Sequence, residues 1–294
     1  MITVVVNPAA GSAGDDAESV LAEHFRHTRL PIRLVTCLSA ADASAAAKAA
    51  VKERAEVVVA AGGDGTVSAV ASALIGTDTP LGVLPRGTLN HFAKDAGIPM
   101  DLGRAVRNIA EGRSKAVDVG DVNGRHFLNN VSLGIYPDIV VERELLRRQG
   151  YRKWSAFGVA AARIVRNYRG LMLTITAQGT TRTTRTPFLL VGNNEYQQEG
   201  IHLGERKALD RGQLFAYFAP RMRGRELPRL FADAVLDRAH EGRKLESLAA
   251  CELLADSHEG HRLRVAIDGE VLAMAAPLQL RIHPGALHVI VPQA

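Results

Sequence analysis

Residues 61–66 read Ala-Gly-Gly-Asp-Gly-Thr, directly after a run of valines and directly before a stretch with helical character. Glycine permits positive φ angles and lets backbone N–H groups approach a phosphate closely, and the N-terminus of the following helix favours an anion. Asp64 adds a carboxylate that can hold Mg²⁺ between phosphate oxygens. This pattern indicates phosphate-binding chemistry. The alternative is a plain strand-to-helix turn in which Asp64 caps the helix.

Two further polar loops follow strand-like runs. Residues 84–90 read Leu-Pro-Arg-Gly-Thr-Leu-Asn, where Thr88 and Asn90 offer short polar side chains and Gly87 permits close approach. Residues 7–11 read Asn-Pro-Ala-Ala-Gly. Because ligands of open α/β sheets bind at the carboxyl ends of strands, we expect the three loops to line one site. Neither common nucleotide fingerprint is present, so a nucleotide site here has another design.

A third signal lies far along the chain, where residues 267–270 read Ile-Asp-Gly-Glu. The dipeptide Asp268-Gly269 is very common in the turns of β-hairpins. Without other information, a hairpin turn is the simpler interpretation of this segment and of Glu270 within it.

The elements that position these residues differ between the two parts of the chain. The first 120 residues alternate strand and helix patterns, which is typical of a parallel sheet covered on both faces. The predicted strands there are 2–6, 31–37, 56–61 and 81–84, and the predicted helices are 15–29, 41–54 and 66–75. We therefore predict an α/β domain over residues 1–122.

After residue 118 the pattern changes to short strands separated by turn signals such as Pro284-Gly285. This predicts a β-rich second domain. Its predicted strands are 118–122, 126–133, 171–177, 186–191, 213–219, 262–267, 278–283 and 287–291, with helices near 154–168 and 226–240.

Composition excludes several classes of protein. With 294 residues, 47% hydrophobic and 23% charged, the chain can bury a core, and disordered or fibrous architectures are excluded. Two cysteines, Cys37 and Cys251, are too few for a disulfide framework. We find no targeting signal and no apolar run long enough for a transmembrane helix, so we expect a cytoplasmic protein with at most peripheral contact at the inner face of the membrane.

Charge is unevenly placed along the chain. Residues 1–122 carry 12 basic and 14 acidic side chains, whereas residues 123–294 carry 24 basic and 17 acidic ones. The segment 142–169 is strongly basic and also apolar, which suits an anionic bilayer; a solvated pair of helices is the alternative. Its basic and apolar members are Arg143, Leu145, Leu146, Arg147, Arg148, Tyr151, Arg152, Lys153, Trp154, Phe157, Arg163, Arg166 and Arg169.

Taken in order, the motifs at 6–11, 62–66, 84–90, 117–120 and 268–270 resemble the diacylglycerol kinase catalytic family, which includes bacterial lipid kinases and the sphingosine and ceramide kinases. The resemblance extends from residue 4 to about residue 291. It implies an N-terminal nucleotide-binding domain like those of NAD kinases and phosphofructokinases, and a C-terminal β-sandwich-like domain for the lipid over 123–284. It also implies that the last strand, about 285–294, returns to the first domain.

The resemblance also implies roles for individual residues. Asp64 would lie in the Mg²⁺–water network of bound ATP, with Asp118 supporting the metal, and Glu270 corresponds to the proposed general base that deprotonates the lipid hydroxyl. The residues implied to bind ATP are Asn7, Thr36, Gly62, Gly63, Asp64, Gly65, Thr66, Val67, Ser68 and Thr88. Asn90 of the second loop is added to these candidates.

Three positions depart from the family pattern. His91 stands where an acidic residue is common, which removes a negative charge near the metal. Arg211 occupies the place of an acid in a structural Mg²⁺ site, so that site is expected to be absent. Arg86 replaces a small or apolar residue, and it either reaches a phosphate or faces solvent.

We therefore expect an ATP- and Mg²⁺-dependent lipid kinase that acts on diacylglycerol, a related glycerolipid or a sphingoid base at an anionic membrane surface. No nucleic-acid partner is expected, and a homodimer is left open. One alternative is a kinase with a soluble substrate that resembles NAD kinase. The other is a catalytically weak regulator that binds lipid or nucleotide, an interpretation that the departures at His91 and Arg211 keep open.

Overall fold

The computed structural model describes residues 1–10, 16–28, 30–199, 202–219 and 245–293. Gly11 and Gly14 of the first predicted loop, and the predicted helix 226–240, lie outside these residues. The chain divides into two compact units. The first contains Met1–Val119, Ala208–Gly212 and His283–Ala294, and the second contains Gly120–Lys207 and Gln213–Ile282. The predicted domain limits at 122 and 284 stay a prediction.

The first unit is built on a parallel sheet with the strand order β2-β1-β3-β4. The C-terminal part of the last strand adds to β4 in parallel, through the pair Val289 and Leu81. All five residues of β1 are buried, because helices cover the sheet. The elements are β1 (Ile2–Val6), α1 (Ala17–Arg26), β2 (Ile32–Thr36), α2 (Ala40–Lys52), β3 (Val57–Gly62), α3 (Asp64–Leu74), β4 (Leu81–Pro85), α4 (His91–Asp95) and α5 (Leu102–Glu111).

Most helices of the first unit begin at a capping side chain. Asp16 caps α1, Ser39 caps α2 and Asp101 caps α5, each by accepting a hydrogen bond from a backbone N–H three residues ahead. Helix α3 differs, because its N-cap residue is Gly63 and no side chain caps it. Its first N–H groups are therefore open to another acceptor.

The second unit is a β-sandwich with a helical hairpin. One sheet is antiparallel with the order β14-β13-β10-β7-β16-β17, and a second contains β9-β8-β15 and the first residues of β18. Apolar residues of both sheets share one core. Most of β5 and the end of β18 belong to the first unit. The elements that follow α5 in the chain are β5 (Arg113–Val122), β6 (Arg125–Phe127), β7 (Asn130–Gly134), α6 (Ile135–Arg148), α7 (Lys153–Asn167), β8 (Leu171–Ala177), β9 (Thr180–Thr186), β10 (Phe188–Asn193), β11 (Tyr196–Glu199), β12 (His202–Arg206), β13 (Leu214–Phe218), β14 (Glu246–Ala250), β15 (Glu252–Ser257), β16 (Arg262–Ile267), β17 (Glu270–Ala275) and β18 (Leu278–Val291).

The predicted α/β class, with a parallel sheet first and a β-sandwich-like part second, is confirmed. Two predicted details are wrong. The turn at Pro284-Gly285 is absent, because β18 continues through both residues. The single strand predicted at 126–133 is split into β6 and β7, because the backbone N–H groups of Leu128 and Asn129 bind a side chain instead of a neighbouring strand.

Among the helices of the described residues, none is long and apolar enough to cross a bilayer.

Candidate active site

The four parallel strands of the first unit end at the same level. Val6 pairs with Thr36 on one side and with Ala61 on the other, and Gly62 pairs with Pro85. The loops that follow these strands therefore leave one edge of the sheet, as the sequence predicted. This edge holds the phosphate-binding candidates of the first unit.

Two of these loops touch through their glycines. A Cβ atom added to Gly87 would lie 2.6 Å from the Cα of Gly63, which no real side chain tolerates. Asn90 fixes this approach from the other side, because its Oδ1 accepts from Gly87 N and its Nδ2 donates to Gly87 O, both at 2.9 Å. The amide of Asn90 thus has a structural use, and its predicted contact with ATP stays a prediction.

The N-terminus of α3 is open to an anion. The N–H groups of Thr66 and Val67 both donate to Gly63 O, at 2.9 and 3.0 Å, which leaves those of Asp64 and Gly65 without an acceptor among the described residues. A Cβ atom on Gly65 would meet nothing within 4 Å, so there is room beside it. Backbone donors and the helix dipole together favour a phosphate here. The alternative that Asp64 caps α3 is wrong.

The Asp64 carboxylate is suited to a divalent cation. It is half-buried in the first turn of α3, and its recorded hydrogen bond, from Phe92 N to Oδ1, is long at 3.4 Å. Mg²⁺ is commonly held by one or two carboxylates together with substrate phosphates and water. One carboxylate beside free backbone donors fits that requirement. His91 is exposed at the start of α4 and adds no carboxylate.

The remaining predicted ATP contacts of the first unit have different surroundings. Asn7 Nδ2 donates to the hydroxyl of Thr66 at 3.2 Å, so this pair ties the first loop to α3. The Thr36 hydroxyl donates to Glu18. Val67 is buried in the core, and its predicted contact with ATP stays a prediction. Thr88 is exposed at the loop tip, whereas Ser68 is half-buried on α3 and Gly62 has no room for a side chain.

Cys37 also lies at this edge but is not a nucleophile candidate. Burial, and secondarily the charge of Asp42, raise the pKa of its thiol, which donates to Val6 O at 3.3 Å. A protonated buried thiol is unreactive.

Asp118 is a structural acceptor within the first unit. It is 3% exposed on β5, and its two carboxylate oxygens accept from Gly212 N at 2.6 Å and from Gly285 N at 2.9 Å. Its own N–H donates to Leu209 O at 2.7 Å. The side chain therefore fastens two distant segments to β5. Its predicted support of a metal stays a prediction.

Glu270 begins β17 and is exposed. It follows a two-residue turn in which Asp268 and Gly269 both have positive φ, at 47° and 88°, as a type I′ hairpin requires. The hairpin interpretation of this segment is confirmed. Glu270 is therefore exposed directly after the turn of the β16–β17 hairpin.

The Asp268 side chain holds a backbone loop of the second unit. Its carboxylate accepts from Leu128 N at 2.9 Å, Asn129 N at 2.8 Å and Asn130 N at 3.2 Å. Its own N–H donates to Asn130 O at 2.9 Å. The turn that carries Glu270 is thus fixed to the start of β7, a role that the sequence did not indicate.

A buried arginine holds the other side of the same loop. Arg206 is 4% exposed; its Nη1 donates to Leu128 O at 2.5 Å and its Nη2 to Asn129 Oδ1 at 2.9 Å. Its guanidinium carbon lies 5.9 Å from the centre of the Tyr196 ring. No sequence signal could have found this residue, because Arg206 stands between Glu205 and Lys207, as in a solvated segment.

The fold is thus that of a two-unit protein, in which an α/β unit with an uncapped helix N-terminus at its sheet edge precedes a β-sandwich. Residues 1–122 match the family model described as diacylglycerol kinase catalytic domain, and residues 130–291 match that described as YegS C-terminal NAD kinase beta sandwich-like domain. The chain belongs to the family that combines these two domains, which confirms the resemblance seen in its motifs.

Individual relatives agree with this assignment. A diacylglycerol kinase of Bacillus subtilis is 42% identical over 97 residues, which are 32% of this chain and 31% of that protein. An uncharacterised protein of Synechocystis sp. is 31% identical over 173 residues, 54% of this chain and 40% of that protein. The matched segments thus span less than half the length of these curated relatives.

A solved structure shares the fold over almost the whole chain. It is that of a diacylglycerol kinase from Bacillus anthracis str. Sterne, with a TM-score of 0.76 at 20% identity over 99% of this chain and 96% of that chain. At this identity the likeness concerns the fold alone.

Proposed function

We propose that this protein transfers the γ-phosphate of ATP to the hydroxyl group of a lipid, with diacylglycerol or a related glycerolipid first and a sphingoid base next. The observation that carries the proposal is the uncapped N-terminus of α3, packed through Gly63 against Gly87. It lies within the segment that matches the diacylglycerol kinase catalytic domain.

Three residues of the first unit have separate roles in this proposal. The free N–H groups of Asp64 and Gly65 would bind phosphate oxygens, and the carboxylate of Asp64 would hold the cation. Mg²⁺ bound there would neutralise charge on the phosphates during transfer. Asp118 supports the site by fixing backbone, since both its oxygens already accept N–H groups.

Glu270 acts as the general base in this proposal. Its carboxylate takes the proton of the lipid hydroxyl, the hydroxyl oxygen forms a bond to the γ-phosphorus, and the bond from that phosphorus to the bridging oxygen breaks, which releases ADP. An exposed carboxylate at the end of a hairpin suits an acceptor that arrives from solution or from a membrane.

The test is transfer of label from ATP to acceptors of different classes. We expect labelled phosphate in diacylglycerol micelles or in extracted cell lipids, loss of transfer when Mg²⁺ is chelated, and little or no transfer by Asp64→Ala. NAD and a sugar are included as acceptors, because residues 130–291 match a family described as an NAD kinase beta sandwich-like domain. Label in NAD alone would favour the soluble-substrate kinase, and ATP binding without any transfer would favour the regulator.

We further propose that the α6–α7 tip, residues 145–152, contacts an anionic lipid surface. Leu145 and Tyr151 are 49% and 44% exposed there, although Leu146 between them is buried in the core of the helical hairpin. Among the described residues, Arg148 and Arg152 have no ion-pair partner. Basic groups beside exposed apolar side chains suit a bilayer with anionic lipids.

Two arginines near the hairpin already have close ion-pair partners. Arg163 pairs with Glu142 at 2.8 Å, and Arg264 pairs with Asp138 at 2.9 Å. Arg147 is only loosely paired, with Glu144 at 3.5 Å. Arg166 and Arg169 at the other end of α7 are also exposed and have no ion-pair partner among the described residues. The tip is therefore distinguished by its exposed Leu145 and Tyr151 beside basic side chains, and not by unpaired charge alone.

Charge reversal at the tip tests this partner. We expect the double variant Arg147→Glu/Arg148→Glu to weaken binding to phosphatidylserine-containing vesicles by at least about 30-fold, since each basic residue near such a surface contributes about 1 kcal/mol. Vesicle co-sedimentation measures it. The matched control is Arg104→Glu/Arg107→Glu on the exposed face of α5, with the same change in net charge. Equal losses in both variants would show a net-charge effect and contradict the proposal.

A further inference from the structure

Arg86 is the residue that directly follows β4 at the phosphate-binding edge. The side chain is half-buried, and its Nη1 atom is buried without a hydrogen-bond partner among the described residues. No carboxylate in the described part of the chain pairs with it, whereas Arg33 of the same unit pairs with Glu53. The guanidinium of Arg86 is thus partly desolvated and uncompensated.

Such an arrangement is costly in the free protein. A guanidinium is always charged and carries five N–H donors, so it is normally placed in water or against an anion. A buried donor without an acceptor loses its hydration and gains nothing in return. The alternative that Arg86 simply faces solvent does not hold for Nη1.

The backbone of Arg86 is fixed next to the open end of α3. Its N–H donates to Gly62 O at 2.9 Å, and the following residue, Gly87, lies against Gly63. The neighbouring N–H groups of Asp64 and Gly65 are free. Two features that each favour an anion, an arginine with a buried and unpartnered Nη1 and an uncapped helix N-terminus, therefore directly follow strands that end at the same edge of the sheet.

We infer that Arg86 binds a phosphate group of the nucleotide. This assigns a binding role to a residue that stands outside the predicted ATP contacts, and it rests on the proposed use of ATP by the first unit. A guanidinium supplies positive charge to the same loop that carries His91 instead of an acid.

The decisive variant is Arg86→Met, which keeps an unbranched apolar stem and removes the guanidinium and its charge. We expect it to weaken ATP binding by about 10- to 100-fold, the range of a charge-assisted hydrogen bond, and to leave adenosine binding within about twofold. The melting temperature without ligand should stay equal or rise, because an unpaired charge is removed. Arg107→Met, an exposed arginine of α5, is the matched control.

Calorimetric titration with ATP and adenosine, with and without Mg²⁺, gives the answer. An ATP Kd within twofold of wild type would overturn the inference, and so would an equal loss for ATP and adenosine, which would indicate a distorted loop. If Arg86→Met does not fold, the Kd values for ATP and adenosine are compared in Arg86→Gln instead. If wild-type protein binds no ATP, the proposed function itself fails, which is distinguishable from a failure of Arg86 alone.

Discussion

Replacing Glu270 by Gln is expected to lower kcat for lipid phosphorylation by about 10²- to 10⁴-fold, the usual contribution of a positioned general base. The amide has nearly the same shape but cannot accept the proton of the hydroxyl. The Kd for ATP should stay within about twofold of wild type, because Glu270 begins β17 of the second unit and the loops proposed to bind phosphate belong to the first. Single-turnover transfer of labelled phosphate to diacylglycerol measures the effect.

Glu205→Gln is the matched control for this change. Glu205 is an exposed glutamate of the same unit, so its replacement alters net charge equally and should leave kcat unchanged. A pH–rate profile adds a second measurement, because loss of a base removes the rise of kcat with pH on its acidic side. If Glu270→Gln retains wild-type kcat, Glu270 is only a hairpin residue and the base lies elsewhere.

The glycine-rich edge of the first sheet could be predicted because its signals are local. Three consecutive valines specify a strand buried on both faces, and the glycines after it permit a backbone approach that no other residue allows. A Cβ atom on Gly87 would lie 2.6 Å from the Cα of Gly63. This distance explains why both loops carry glycine where they touch. Parallel strands then bring their carboxyl ends together without further information.

The supporting contacts of the second unit could not be predicted, because they join residues far apart in sequence. Asp268 binds N–H groups about 140 positions earlier, and Arg206 reaches a carbonyl 78 positions earlier. Neither partner has a recognisable motif. The continuation of β18 through Pro284-Gly285 was missed for a related reason. The turn preference of these two residues is local, whereas β18 pairs with strands that are distant in the chain.

Asp268→Ala is expected to lower the free energy of unfolding by about 3–5 kcal/mol. Three backbone N–H groups, those of Leu128, Asn129 and Asn130, lose their acceptor, and each unsatisfied donor costs about 1–3 kcal/mol where it is shielded from water. Alanine also tolerates the positive φ of 47° poorly. Urea denaturation followed by tryptophan fluorescence and circular dichroism measures the change.

Asp268→Asn separates the two causes. Asparagine accepts positive φ readily, and its single amide oxygen can still serve part of the loop, so the loss should be intermediate. Asp256→Ala, at an exposed aspartate of the same unit, should change stability by less than about 0.5 kcal/mol. If Asp268→Ala proves no more destabilising than that control, the three hydrogen bonds do not hold the loop. Arg206 would then be its principal support, because it binds the carbonyl side of the same segment.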